Sequence, residues 1–537
     1  MRLITITTPF AELFQLASPR VPACLLFLSV FVGLGAQGHA QTLPDNIDIS
    51  TSPNGIVPLP PTVSQVFTNV FERYTKIVAP NGQAIHFLIQ NQVTDEMAVR
   101  AREVMRFFLT DVPGTQYGAD KTAVANRMGI LEAALVYFNT EQAAGQAFNG
   151  PLGNANIFAQ DLYASESVVE GTFAYINNTN RDATFEEVFH LVHGAGIQPI
   201  LPVYHAEMTA AKNAAKAAGN WIPPGGLPLQ DEVFEYIISV IDVYYGYWAH
   251  NPDGDGSSFG GEYAFNTRTS VEAGDPQGVF VMRKFLPEFF TAQLHCTAGF
   301  NGTFTLTFNA GTEYTLKSRY MTEVHLSGSN PSNLVGNPLD NVLGGNSGDN
   351  AIDGGPGSDT ASFSGPKAEY VIQCATPGFT VDDTVANRDG MDSLSSMEFL
   401  RFSDQVVAAA DLCPQASATL RNGSGVNALC FSSTVPVLGS TWTAQIDTSG
   451  HPGATLTIIL GYASPHPGLL LSIGELLVDG TSNRLLADFA TPVGLLSTHT
   501  VSVPNNTSLA GFAAFTQGVT FGGGIQLCNA IDVVLGY

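Results

Sequence analysis

GNPLDNVLG (336–344), GNSGDNAID (345–353) and GGPGSDTAS (354–362) repeat one another every nine residues without an insertion. Gly336, Gly345 and Gly354 open the three units, Asn341, Asn350 and Asp359 hold the sixth place, and Leu343, Ile352 and Ala361 the eighth. A flexible linker rich in Gly, Asn and Asp does not keep an apolar residue in register. The period predicts a stack of short units, each a six-residue turn followed by a short strand that buries one apolar side chain.

The turns carry the chemistry. Glycines reach backbone angles closed to other residues and let carbonyls approach a cation closely. Calcium is a hard ion that takes six to eight oxygens, so stacked turns can share one ion between carboxylates and carbonyls. The nonapeptide G-G-x-G-x-D-x-U-x is complete only in the third unit, since Asn341 and Asn350 stand where Asp is usual and Pro338 removes a donor. One calcium site is the expectation, built around Asn341, Asp359, Gly345, Gly354 and Gly357.

GGPGSDTASF (354–363), followed by RDGMDSLSSMEFLRFSDQV (388–406), resembles the repeat-in-toxin, or hemolysin-type, calcium-binding module of secreted bacterial proteins. The resemblance covers roughly residues 330–412. It implies a parallel β-roll closed by a β segment near Met397–Phe402, with each calcium site shared by alternate turns, which pairs Asn341 with Asp359. It implies nothing direct about the remaining residues.

Residues 1–40 read as an export signal. Arg2 and Arg20 precede the apolar run Val21–Leu34, and Gly38, His39 and Ala40 give a small-x-small cleavage pattern. The run is short of the ~20 residues a membrane-spanning helix needs, and no later segment is long and apolar enough. A secreted or extracellular chain with no membrane span once processed is therefore expected. A net charge of −25 with only 22 Lys and Arg repels phosphate backbones, which argues against nucleic acid as a partner and suits cations. Hydrophobic content of 45% over 537 residues fills several cores. Beyond the signal lie Cys296, Cys374, Cys413, Cys430 and Cys528. None has zinc-knuckle spacing, and an oxidising compartment favours disulfides. Cys430 with Cys528 is the first choice because both fall in the last domain. Cys374 with Cys413 would follow, leaving Cys296 odd.

Residues 41–62 form a Pro- and Ser-rich linker, and 63–329 an α-rich domain. Apolar residues at helical spacing predict helices over Asp95–Leu109, Asp120–Phe138, Ala183–His193, Ala206–Ala218 and Asp231–Trp248. Alternation over Asn301–Thr315 predicts a strand pair. Residues 415–537 carry short apolar runs between Gly, Pro, Asn and Ser, the pattern of a β-sandwich of about eight strands. No Ser, His and acid constellation stands out there, and its role is attachment to a cell surface or extracellular polymer, or capping of the roll. The fold class is thus multidomain: an α-rich N-terminal domain, a short parallel β-roll (330–412) and a C-terminal all-β sandwich.

Two further segments offer chemistry. In ATFEEVFHLVHGAGI (183–197), Glu186, His190 and His193 share an arc of about 60° on a helix, with Glu187 beside it. E-E-V-F-H departs from the zincin motif H-E-x-x-H at its first place only. Two imidazoles and a carboxylate on one face make Glu186, His190 and His193 candidate ligands of zinc or another divalent transition metal, with Glu187 the general base and His205, Glu232 and Glu235 candidates for a further ligand. A structural alternative makes Thr184 and Glu187 a capping box and the histidines cations at a helix C-terminus. In NPDGDGSSFGGE (251–262), Asn251, Asp253, Asp255, Gly256, Ser257 and Glu262 match EF-hand positions, although Pro252 and the following glycines suit a surface turn equally. The leading function is a secreted calcium-binding protein with a structural or adhesive role. The alternative is a secreted, peptidase-like metallohydrolase.

Overall fold

A computed structural model of the chain describes residues 43–153, 155, 157–250, 255–374 and 378–537. The expected export signal, residues 1–40, and Asn251 to Asp253 of the acidic loop lie outside the described residues. Helices and strands in several sheets make a mixed, multidomain protein with two compact units that divide between Gly328 and Ser329. Among the described residues no helix is long and apolar enough to cross a membrane.

The first unit is not simply α-rich. Val57–Pro58, Arg73–Val78, Ala84–Ile89, Ala134–Phe138 and Ala159–Tyr163 form one sheet in chain order, antiparallel over the first three strands and parallel over the rest. Parallel neighbours need a crossover, and the helices Asp95–Leu109 and Thr122–Ile130 supply it between Ala84–Ile89 and Ala134–Phe138. The predicted helix over 120–138 therefore stops at Ile130, and the chain turns through Glu132, whose φ is 49°, into a strand. Every residue of that strand is buried. A strand covered on both faces loses its alternation, so a short apolar run reads as helix and strand equally well.

Asp95–Leu109 begins where its sequence says it should. The Thr94 hydroxyl accepts the N–H of Met97 at 3.2 Å, and Asp95 and Glu96 occupy the first turn. Further helices are Thr184–Val192, Pro202–Ala218 and Glu232–Tyr244. Residues 301–315 hold one short strand, Thr303–Thr305, in place of the predicted pair, and Thr315 already opens a helical turn.

In the second unit the nine-residue period becomes two parallel ladders, because each strand pairs with the next but one. Leu343 of Val342–Gly344 lies opposite Ala361 of Thr360–Ser362, which lies opposite Leu400 of Phe399–Arg401. Leu334 of Asn333–Val335 lies opposite Ile352 of Ala351–Asp353, which lies opposite Leu394 of Met391–Ser395. All six side chains are buried. An antiparallel hairpin, Tyr370–Cys374 with Phe379–Asp383, extends the second ladder, and Cys374 is disulfide-bonded to Cys413.

Residues 417–534 hold ten strands, all antiparallel. Five form a sheet in the order Ser417–Arg421, Ile525–Val534, Ala513–Phe521, Leu456–Tyr462, Arg484–Ala490. Phe431–Ser433, Thr441–Asp447 and Leu496–Ser502 form a second, and Pro465–Leu471 with Gly474–Val478 a third. Phe431, Trp442, Ile446, Ile459 and Ile531 share a core there, next to a disulfide between Cys430 and Cys528. Cys296 is buried and free.

Candidate metal centres

The first centre lies in the first unit, on Thr184–Val192, all of whose residues are buried. Glu186, His190 and Glu235, the last from Glu232–Tyr244, each present a ligand atom within 4.8 Å of the others. His190 Nε2 is 3.8 Å from Glu235 Oε1, and its Nδ1 is 3.4 Å from Glu187 Oε2. Gln160, reaching from the sheet, donates its Nε2–H to Glu187 Oε2 at 2.6 Å. Glu187 Oε1 is buried without a hydrogen-bond partner. One imidazole and two carboxylates suit zinc, iron or manganese and do not choose among them.

Charge in this cluster is balanced from within. Burial would lower the pKa of His190, but the carboxylates of Glu235 and Glu187 outweigh it and lift the imidazole to about 9. Arg181 forms an ion pair with Glu186. Burial raises the Glu187 carboxyl against the pull of His190, and burial with the nearby Glu187 charge lifts Glu166 to about 8. Burial also lifts Asp242 to about 8. Two positive side chains, His190 and Arg181, thus stand among acids that a divalent cation would equally satisfy.

Several expectations change here. His193 does not join the group: its Nε2 lies 3.0 Å from His205 Nδ1, its ring packs on Phe234 at 4.2 Å, and burial followed by the two neighbouring histidines keeps it well below the ordinary range. The helix widens into a π-turn over His193–Ile197, so an arc drawn at 100° per residue fails at its end. Gly196 allows that turn to approach Thr122–Ile130, since a Cβ there would lie 2.6 Å from Val124 Cγ1. Glu232 is taken by Lys212 and Lys216 at 2.9 and 2.6 Å, which leaves Glu235 as the third group. The capping box is absent. Ala183 occupies the N-cap, the Thr184 hydroxyl is buried without a partner, and Asp182 Oδ1 accepts the Thr184 N–H at 3.2 Å. Glu187 faces His190 and Gln160, not the helix terminus.

Of the acidic loop, residues 255–262 are described. Asp255 Oδ1 accepts the N–H and hydroxyl of its neighbour Ser257 at 2.9 and 2.5 Å. Glu262 follows the 3-10 turn Phe259–Gly261, and the next helix opens only at Arg268.

The second centre lies in the turns of the ladders, where the sixth-place side chains stack in two columns. Asn341, Asp359 and Glu398 make one: Asp359 Oδ1 accepts the N–H of Asn341 at 2.8 Å, and Glu398 Oε2 that of Asp359 at 2.7 Å. Ser332, Asn350 and Asp392 make the other, with Asp392 Oδ1 accepting the N–H of Asn350 at 3.0 Å. The opening glycines make room for these inward side chains. A Cβ at Gly336, Gly345 or Gly354 would lie 2.5, 2.6 or 2.7 Å from an oxygen of Asn341, Asn350 or Asp359. Gly357, at φ +153°, brings the Asp359 turn against the Leu339 carbonyl, which a Cβ would meet at 2.6 Å.

Asparagine and aspartate behave differently in these columns. Asn341 Nδ2 donates to Asn337 Oδ1 at 3.1 Å, and Asn350 Nδ2 to the Ser332 carbonyl at 2.7 Å. An ionised carboxylate has no proton to give, and Oδ2 of Asp359 and of Asp392 is buried without a partner. Burial, then the acids Glu398, Asp340 and Asp353, lift Asp359 to about 6 against the Asn341 hydrogen bond. Burial with Asp389, Asp349 and Asp383 lifts Asp392 to about 8. Sequence reading missed Asp392 because it lies thirty-three residues beyond Asp359, past the unbroken repeats. Its signal was present: Gly390, Asp392 and Leu394 repeat the G-x-D-x-U half of the nonapeptide.

One constellation in the last strands has the form of a catalytic triad without its accessibility. His499 Nδ1 is 2.7 Å from Asp488 Oδ2, and Nε2 is 3.0 Å from Thr457 Oγ1. Thr457 is fully buried and only the Asp488 end is part-exposed, the reverse of what attack on a substrate requires. No family model matches the chain, and no curated protein matches it.

Proposed function

We propose that this is an exported calcium-binding protein with a structural or adhesive role, in which the two parallel ladders act as a β-roll of the repeat-in-toxin type. The observation that carries the reading is the pair of columns, each holding one buried acid, Asp359 or Asp392, with an oxygen that no protein donor reaches. A calcium ion is the partner such oxygens lack, and turn carbonyls complete its shell. The sheets of residues 417–534 would form a sandwich that attaches the protein to a surface or polymer. Little apolar area is buried per turn, so coordination supplies much of the folding free energy. Calcium titration followed by circular dichroism and calorimetry tests this. Spectra that are the same with calcium and with chelator would end it.

The Glu186, His190 and Glu235 group supports a second reading, a metal-dependent hydrolase of peptide-like substrates. A bound divalent cation would supply Lewis acidity at these three residues. Glu187 stands beside them with one oxygen fixed by Gln160 and the other unpartnered, the arrangement of a proton acceptor. Transition-metal content of the purified protein, with cleavage of a broad peptide panel, decides it. Calcium alone and no cleavage leave only the first reading.

A further inference from the structure

A small cavity of about 30 Å³ lies in the first unit, walled by Tyr175, Arg181, Asp182, Tyr247, His250 and Lys317, among others. What faces it is short of acceptors. Lys317 is buried, and its ammonium touches a neutral amide oxygen, Asn178 Oδ1 at 2.5 Å, and the Tyr175 ring at 4.2 Å. No ion pair of Lys317 is found among the described residues. Tyr247 is 8% exposed and its hydroxyl is buried without a partner, as is His250 Nδ1. The one acid among the described lining residues, Asp182, is already engaged. Asp182 Oδ2 lies 2.6 Å from an Arg100 nitrogen, and Oδ1 accepts the N–H groups of Thr184 and Val168 at 3.2 and 3.3 Å. Burial leaves Lys317 at about 8, so it keeps its proton at neutral pH.

An ammonium whose one acceptor is a neutral amide oxygen, beside a phenol that has none, asks for a ligand that is all acceptor. A water needs roughly 10–15 Å³ of such space, so the cavity has room for about two oxygens, the size of a carboxylate head group. Arg181 connects this cavity to the metal group, since it lines the one and pairs with Glu186 of the other.

We propose that the cavity is a carboxylate-binding subsite, with Lys317 and Tyr247 as its donors, and that the ligand it takes is the C-terminal carboxylate of a peptide. The choice of a peptide over a free carboxylate rests on the hydrolase reading, through the proximity that Arg181 provides; the carboxylate site itself does not.

The test uses the whole processed chain treated with chelator, so that it does not depend on a bound transition metal. N-acetylalanine, N-acetylalaninamide and acetate are titrated by calorimetry. N-acetylalanine should bind at least tenfold tighter than the amide, and tighter than acetate. Tyr247→Phe removes one oxygen and should weaken N-acetylalanine about tenfold; Lys317→Met should weaken it about a hundredfold. If Lys317→Met does not fold by circular dichroism, Tyr247→Phe decides. Equal affinity for acid and amide, binding of neither, or acid binding unchanged in the folded variants means the cavity holds only water and overturns the subsite. Acetate binding as tightly as N-acetylalanine overturns the peptide assignment. Protein that carries no transition metal as purified, before chelation, and still binds N-acetylalanine after it removes the hydrolase reading and leaves the subsite standing.

Discussion

Replacing Asp392 by Asn should change stability in opposite directions with and without calcium. In chelator, Asp392 Oδ2 is buried without a donor, and Asp389, Asp349 and Asp383 crowd the same carboxyl. An unsatisfied buried group costs about 1–3 kcal/mol. An amide cannot ionise among these acids and supplies the donor that Asn350 already supplies one turn back, 2.7 Å from the Ser332 carbonyl. Asp392→Asn should therefore stabilise the chelated protein by roughly 1–3 kcal/mol. With calcium at about a thousand times its dissociation constant, a site contributes about 4 kcal/mol, and the variant loses that contribution. It then becomes the less stable protein by roughly 1–3 kcal/mol, the difference between those two figures. Urea unfolding followed by circular dichroism, in millimolar calcium and in chelator, measures both. A variant equally destabilised in the two conditions, or neutral in both, refutes the reasoning. Asp359→Asn, with its own unpartnered Oδ2, should repeat the pattern in the other column.

If the hydrolase reading holds, Glu187→Gln should keep the transition metal and abolish cleavage, whereas His190→Ala should release the metal; metal content beside peptide cleavage separates them. Lys121 is fully buried, its ammonium has no hydrogen-bond partner, and it rests 4.3 Å from the Phe285 ring. Burial lowers it from 10.5 to about 7. Below pH 7 folded and unfolded chains both carry that proton and the burial penalty is full; between pH 7 and 10.5 only the unfolded chain keeps it, so this group's penalty fades as pH rises. Lys121→Met should thus stabilise by roughly 2–4 kcal/mol at pH 6 and by nothing near pH 10.5, read as a difference from wild type in urea melts. The Cys430–Cys528 disulfide closes 98 residues. Cys430→Ala with Cys528→Ala should lower stability by roughly 2–5 kcal/mol, measured as a fall in the urea midpoint.

What the sequence determined by itself was whatever repeats locally. The nine-residue period carries both the turn glycines and the buried Leu343, Ile352 and Ala361, because one residue in nine meets the same surroundings each time. The Asp95–Leu109 helix was equally legible, since its cap, first-turn acids and apolar face lie in one segment. The first unit's sheet was not. Ala134–Phe138 is buried on both faces and shows no period that separates strand from helix.

Only the tertiary structure decided which polar groups meet. Glu186 and His190 are one helical turn apart and were visible together, but their third neighbour, Glu235, comes from a helix forty-odd residues on, chosen over Glu232 because two lysines hold the latter. His193 looked like a ligand on an ideal helix and was lost to His205 where the helix widens. Asp392 enters its column because a strand returns after a hairpin to lie against Ala351–Asp353. Sequence spacing reports neighbours along the chain. A metal centre needs neighbours in space, and the burial that sharpens their charges exists only once helices and strands are packed.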